Sequence, residues 1–197
     1  SKAALQEQMA ELKGRALRAQ MNPHFIFNSL NAIQELIVTE NYEGSYQYLS
    51  KFSKLLRMVL NASENNFIPL ADEIEINRLY LELESLRFKH SFHYSIQVDP
   101  AIDIDSIQFP SLLLQPFVEN AIWHGLMHKD GDKILSIRFV QHSKSISCII
   151  EDNGVGREKS AQIKAGKIGT DYFTSKAIGL AQQRIESLKA LGIKTSS

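Results

Sequence analysis

A single cysteine, Cys148, excludes an intrachain disulfide framework in this 197-residue chain. It lies in an apolar, strand-like run, and a reducing compartment suits it. No apolar run reaches the ~18 residues that a membrane-spanning helix needs. An excess of either charge is also missing, since 22 Lys and Arg balance 22 Asp and Glu. No cluster of Lys and Arg interleaved with aromatics occurs, so no polyanion-binding surface and no nucleic-acid partner are expected. Internal repeats are absent. What remains is a hydrophobic content of 44%, enough to bury a core, in a length that fits one or two small domains.

The first pattern is a heptad seam. Leu5, Met9, Leu12, Ala16, Ala19, Pro23, Ile26, Leu30, Ile33 and Ile37 recur in alternating steps of four and three. The spacing predicts a helix from near the first residue to about residue 39 that packs lengthwise on other helices. The chain begins inside the seam, so this helix is expected to continue upstream. Pro23 falls within it, and a helix-interior proline costs roughly 3 kcal/mol. A bend there would open space around His24, which lies one step past a seam position and so points outward. Gln20, Asn28, Asn31 and Glu35 share that side. A solvent-exposed histidine beside a tolerated kink is the plainer alternative.

Asn41 is a plausible N-cap for a second helix, 42–61, with Tyr46, Leu49, Phe52, Leu56 and Val59 on one face. Two such helices joined closely predict an antiparallel hairpin, completed by dimerisation into a four-helix bundle. Residues 61–69 read as a linker. A third helix, 71–88, has Asp72, Glu73 and Glu75 at its start and Arg87, Lys89 and His90 at its end, as the helix dipole favours. Ile74, Leu81 and Leu86 are its expected inward residues. Alternation over 92–98 predicts a strand, Pro110 opens a helix to about residue 126, and strands follow at 134–141 and 145–152. Residues 154–176 read as a mobile loop, and 177–190 as a last helix. The fold class is α+β: a helical hairpin over 1–62, then an α+β part over 67–197.

Three stretches can carry chemistry. In Gln115-Pro116-Phe117-Val118-Glu119-Asn120-Ala121-Ile122-Trp123-His124-Gly125, Asn120 and His124 share a helix face. A carboxamide oxygen can ligate Mg²⁺, and imidazole can contact phosphate. In Glu151-Asp152-Asn153-Gly154-Val155-Gly156, a carboxylate at a strand end can accept from an exocyclic amine such as adenine's, and the glycines let backbone approach a ligand. Ser175-Lys176-Ala177-Ile178-Gly179-Leu180 can feed a helix N-terminus that presents N–H groups to phosphates. Singly, each also reads as an ordinary amphipathic helix, turn or cap.

In this order, MNPHFIFNSLNAI, PFVENAIWHG, DNGVG and KAIGL resemble the histidine kinases of the LytS-type sensor family. The resemblance covers nearly the whole chain. It implies a two-layer α/β sandwich ATPase domain of the kind shared with DNA gyrase and MutL, with the family's last strands lying beyond Ser197. It implies ATP and Mg²⁺ as cofactors and His24 as phosphoacceptor, with Asn28 orienting its ring. Asn120 would hold Mg²⁺, with Glu119 positioning the metal, its water or a phosphate. Asp152 would read adenine, with Gly154 and Gly156 making room. Gly179 and Leu180 would belong to the triphosphate end of the lid, and His124 and Lys176 are phosphate-contact candidates. Phe25 follows His24, as the LytS-type pattern expects. The implied partners are a second copy of the chain and a response regulator. The implied location is the cytoplasmic portion of a membrane protein anchored through an upstream segment. A dimeric nucleotide-sensing scaffold without kinase activity is the alternative.

Overall fold

The structure is a computed structural model that describes residues 21–143 and 145–154, with the backbone of 160–165. The seam upstream of Met21 and the expected helix at 177–190 lie outside the described residues.

Helix α1 spans Pro23–Val38, and its start corrects the expected proline kink. Asn22 is extended, at φ −61° and ψ 116°, and acts as the N-cap. Its side-chain oxygen accepts from the His24 N–H at 3.0 Å. Pro23 therefore occupies the first helical turn, where a missing N–H costs nothing and a fixed φ is preorganised. Helix α2 spans Tyr42–Ser63, capped by Asn41, whose side chain accepts from the Gly44 N–H at 3.0 Å. The two helices run antiparallel. The Phe25 and Phe52 rings are 6.1 Å apart, and the Tyr48 hydroxyl donates to Ser29 Oγ one turn further on. Phe52, Leu56 and Val59 are buried as expected. Tyr46 and Leu49 are not, at 72% and 46% exposure. The inner stripe of α2 instead runs through Ser45, Tyr48, Phe52, Leu55, Val59 and Ala62. A four- and three-step pattern has two neighbouring solutions here, and the packing of Tyr48 on α1 selects the second.

Helix α3, Leu70–Arg87, is the central element. It is buried on several sides, through Leu70, Ile76, Leu79, Tyr80, Leu81 and Leu83, together with polar Glu73, Asn77 and Glu84. Of the expected inward residues Leu81 is buried, Ile74 is half-buried and Leu86 is exposed. Lys54–Glu75 at 2.6 Å and Lys51–Glu82 lace α2 to α3, and Arg78–Glu75 at 2.8 Å lines the α3 surface. Being exposed or partly so, each contributes little.

The expected linker ends in strand β1, Phe67–Pro69, directly before α3. Strand β2 is His93–Val98, and β3, Gln108–Pro110, pairs antiparallel with β1, setting Ile68 against Phe109. The expected helix at 110 thus begins later, as α4 at Gln115–Asn120. The delay has a cause. Leu112 takes a left-handed φ of 57°, and buried Glu73 accepts the N–H groups of Leu112 at 2.8 Å and Leu114 at 2.9 Å. Strands β4, Ile134–Gln141, and β5, Ile146–Asp152, form the sheet centre. Strand β6, Ser160–Ala165, falls within the stretch read as a loop. The sheet order is β2-β4-β5-β6, with β2 parallel to β4 and the other pairs antiparallel. Leu135, Ile137 and Phe139 of β4 are buried, as are Cys148 and Ile150 of β5. The fold is therefore a mixture of helices and a mixed sheet.

Glu73 holds two buried N–H groups, so removing its carboxylate strands both. Glu73→Ala is expected to cost about 3 kcal/mol, and Glu73→Gln, which can accept only one of them, roughly half as much. Urea denaturation of the two variants checks both the size and the order.

Candidate functional site

Helix α4 carries Pro116 in its first turn and runs without a break into a π-helical segment, Ala121–Leu126. The Met127 N–H bonds the Ile122 carbonyl at 2.9 Å, one wide turn back. Such turns concentrate at functional sites because they displace side chains from their α-helical places. Val118, Ile122 and Leu126 face the core. Glu119 and Asn120 are half-buried, and His124 is exposed about one turn after Asn120.

The far end of this helix meets the end of β5. The register sets Asp152 opposite Leu135, Ile150 opposite Ile137 and Cys148 opposite Phe139. Asp152 therefore points from the same face of the sheet as the buried core residues. Two glycines make its approach to the helix possible. A Cβ on Gly125 would stand 2.5 Å from Asp152 Oδ1, and a Cβ on Gly154 would overlap the Gly125 backbone. The turn is fixed by its own side chains. Asp152 Oδ1 accepts the Gly154 N–H at 2.8 Å. Asn153 accepts the Ile134 N–H at 2.8 Å and donates to the Asp132 carbonyl at 3.0 Å. Glu151, on the opposite face, pairs with Arg138 at 2.8 Å.

His24 is exposed on the first turn of α1, and its ring meets Trp123 of the π segment. The two ring centroids are 5.1 Å apart at 67°, an edge-to-face contact. The Asn28 amide nitrogen lies 3.1 Å from Nδ1 and 3.3 Å from Nε2 of His24. Behind Trp123, Phe88 stands 5.7 Å away, and the Arg87 guanidinium lies 4.9 Å from the indole and 4.0 Å from the Phe88 ring. Arg87 donates to Glu84 through Nε at 3.1 Å and Nη2 at 2.8 Å, and Glu84 is fully buried.

Burial pushes the Glu84 carboxyl up, against the pull of Arg87 and the nearby His24. Glu119 is pushed to about 7, first by burial and then by Glu84, while a hydrogen bond from Gln115 at 3.2 Å opposes the rise. The Tyr80 phenol, pushed well up by burial and then by Glu84 and Glu119, lies beside the Trp123 indole short of full hydrogen-bond geometry.

The structure thus gathers two groups on one helix. His24 and Asn28 meet the helix of Glu119 and Asn120 through Trp123, and Asp152 and Gly154 meet its end at Gly125. Gly156, Lys176, Gly179 and Leu180 lie outside the described residues. Glu84, Phe88 and Asn153 carry contacts that the sequence did not announce. The Glu84–Arg87 pair had a readable signal in its i, i+3 spacing.

Residues 10–92 match the histidine kinase family. The chain is 34% identical over 184 residues to sensor protein LytS of Oceanobacillus iheyensis, covering 91% of this chain and 31% of that one. Against sensor histidine kinase BtsS of Escherichia coli strain K12 it is 36% identical over 141 residues, covering 71% and 24%. The chain belongs to the histidine kinases, and among them to the LytS-type sensors. It spans about a third of the length of the LytS proteins it matches. A solved histidine kinase domain from Erythrobacter litoralis aligns at TM-score 0.47 and 14% identity, covering 93% of this chain and 85% of that one.

The raised Glu119 makes a pH prediction. Its folded value lies above the unfolded one, so its contribution is full below about pH 4.5 and is lost as pH rises through about 7. Glu119→Gln is expected to flatten the fall in stability across that window. Urea midpoints measured across the window check it, and an unchanged profile would place the titration elsewhere.

Proposed function

We propose that the chain is the kinase core of a two-component sensor: it binds ATP with Mg²⁺, phosphorylates itself on His24, and passes the phosphoryl group to an aspartate of a response regulator. The observation that carries this reading is an exposed imidazole resting on the helix of Asn120, whose far end meets Asp152.

The residues fit the nucleotide. Asp152 offers a carboxylate at the mouth of a glycine-lined turn, suited to an exocyclic amine. Asn120 offers a half-buried carboxamide oxygen. Among the described residues no three His, Cys, Asp or Glu side chains cluster to hold a metal. That suits Mg²⁺, which keeps waters and substrate phosphates and takes few protein ligands. Glu119, half-neutral near pH 7, would ionise beside such a cation and help hold it or its water. His124, exposed about one turn after Asn120, and Lys176, Gly179 and Leu180 would face the phosphates, with Gly156 giving room beside the base.

In the transfer, a His24 ring nitrogen attacks the γ-phosphorus with its lone pair. The N–P bond forms as the bond to the β,γ-bridging oxygen breaks, and ADP leaves with that electron pair. The proton on the other ring nitrogen is then released to water. Asn28 orients the ring; as an amide it is no base. Dimerisation is supported by Ile37, Val38, Tyr42, Tyr46 and Leu49, which stand exposed around the α1–α2 turn.

ATP labelled in its γ-phosphate is expected to label the protein, and His24→Gln to abolish the label. Undiminished labelling of the variant would exclude His24 as acceptor. Asp152→Ala is expected to weaken ADP–Mg²⁺ binding about 10- to 100-fold by calorimetry, the loss of one hydrogen bond to a charged group. A wild-type protein that binds no nucleotide would favour the scaffold reading.

A further inference from the structure

We propose that Trp123 is the positioning residue for His24 and that it receives the imidazole of its own chain. The proposal rests on the kinase reading and adds how the acceptor is aimed. An exposed histidine at a helix start would ordinarily sample several rotamers, each a different direction of attack. Here its ring is met edge-to-face by an indole 5.1 Å away. Such contacts favour one relative ring orientation and occupy neither ring nitrogen.

The Asn28 amide completes the cradle without closing it. Imidazole lone pairs lie in the ring plane and diverge. A nitrogen 3.1 Å from one and 3.3 Å from the other cannot align with both, so at most one ring nitrogen is engaged and the other stays open. The indole itself is held from behind. Phe88 meets it at 71°, and the Arg87 guanidinium lies over both rings. Arg87 is anchored by two hydrogen bonds to fully buried Glu84. The supports therefore come from α3, a rigid neighbour, and not from the α1 helix that Trp123 receives. Trp123 lies three residues after Asn120. The group that aims the nucleophile and the group proposed to hold the metal share one helix, so nucleophile and phosphate would be placed by the same body. His24 and Trp123 of one chain already stand in contact, so the proposal is of transfer within a chain.

Trp123 is the only tryptophan of this chain, so its emission reports the contact without any reaction. Imidazole in ring contact quenches excited indole. The wild-type emission is therefore expected to be quenched at a fixed pH by the adjoining His24 ring. His24→Gln is expected to raise it. Glu84 and Arg87 on α3, and Glu119 on α4, stay in place in both proteins, so the difference isolates His24. Equal emission from the two proteins would overturn the contact.

The kinetic arm reads the role. Trp123→Ala is expected to slow His24 labelling ~10- to 100-fold by misorientation, with ADP–Mg²⁺ affinity kept within about twofold. Trp123→Phe is expected to restore most of the rate. Equal loss of affinity and rate, or no loss of rate, would overturn the role. Mixed dimers of one His24→Gln chain and one Trp123→Ala chain should label at the slow rate of Trp123→Ala. Labelling of the Trp123→Ala chain at the wild-type rate would overturn the intrachain arrangement. A wild-type chain with the quench but no label refutes the kinase reading and with it the role of Trp123. Label without a His24-dependent quench refutes the contact alone.

Discussion

Glu73 accepts two backbone N–H groups from residues 39 and 41 positions downstream. A fully buried carboxylate is costly unless it is hydrogen-bonded, and these two donors offset that cost. Without them the turn at Leu112 would also have to hold its left-handed φ unaided, a strain of order 1 kcal/mol or more. The bonds fix where α4 begins, and so which residues of that helix face the core and which face His24. The last turn of α3 then reaches the same helix again, through Arg87 and Phe88 at Trp123. One helix thus grips its neighbour near both ends. This explains why α3 carries polar residues on its buried sides as well as on its surface: its carboxylates at Glu73 and Glu84 are structural parts.

The second constraint is a shortage of positive charge. Glu84 adds to the cost of ionising Glu119, and the phenol of Tyr80 lies in the same region. Arg87 is the cation hydrogen-bonded there, and it is committed to Glu84. Arg87 thus opposes the rise at Glu84, while Glu119, helped only by Gln115, is pushed to about 7. A carboxyl left near neutrality is a group that an arriving cation can ionise. The pairing of Arg87 with Glu84 is thus what leaves Glu119 available.

Local spacing carried part of this far. Period-two alternation gave β2, β4 and β5 almost to the residue, and the seam set His24 outward. It failed where two local solutions differ only in distant packing. Pro23 fits both a kink and a helix start, and the Asn22 cap decides between them. Tyr46 and Leu49 continue a stripe that α1 does not cover. Strands β1 and β3 have three residues each, too few to show a period, and exist because they pair with each other. Glu73 read as a first-turn acid at a helix dipole, since its two partners lie in another element. Trp123 drew no role of its own, since nothing local says that α1 lies against it.

The same parity that exposed the strands also decides the chemistry at Asp152. Side chains 148, 150 and 152 leave β5 on one face, and the first two are core. A carboxylate at the third position would be buried against a helix if ordinary side chains stood there. Instead Gly125 and Gly154 meet backbone to backbone, so the helix end can lie directly against the Asp152 carboxylate without a side chain between them. Asn153 ties the following turn to the start of β4, which keeps the strand from slipping. A slip of one residue would send Asp152 to the solvent face beside Arg138 and turn Glu151 inward. The turn's identity as Asp-Asn-Gly is therefore more than a loop preference. The aspartate takes the inward parity, the asparagine holds the register, and the glycine admits the helix that carries Asn120.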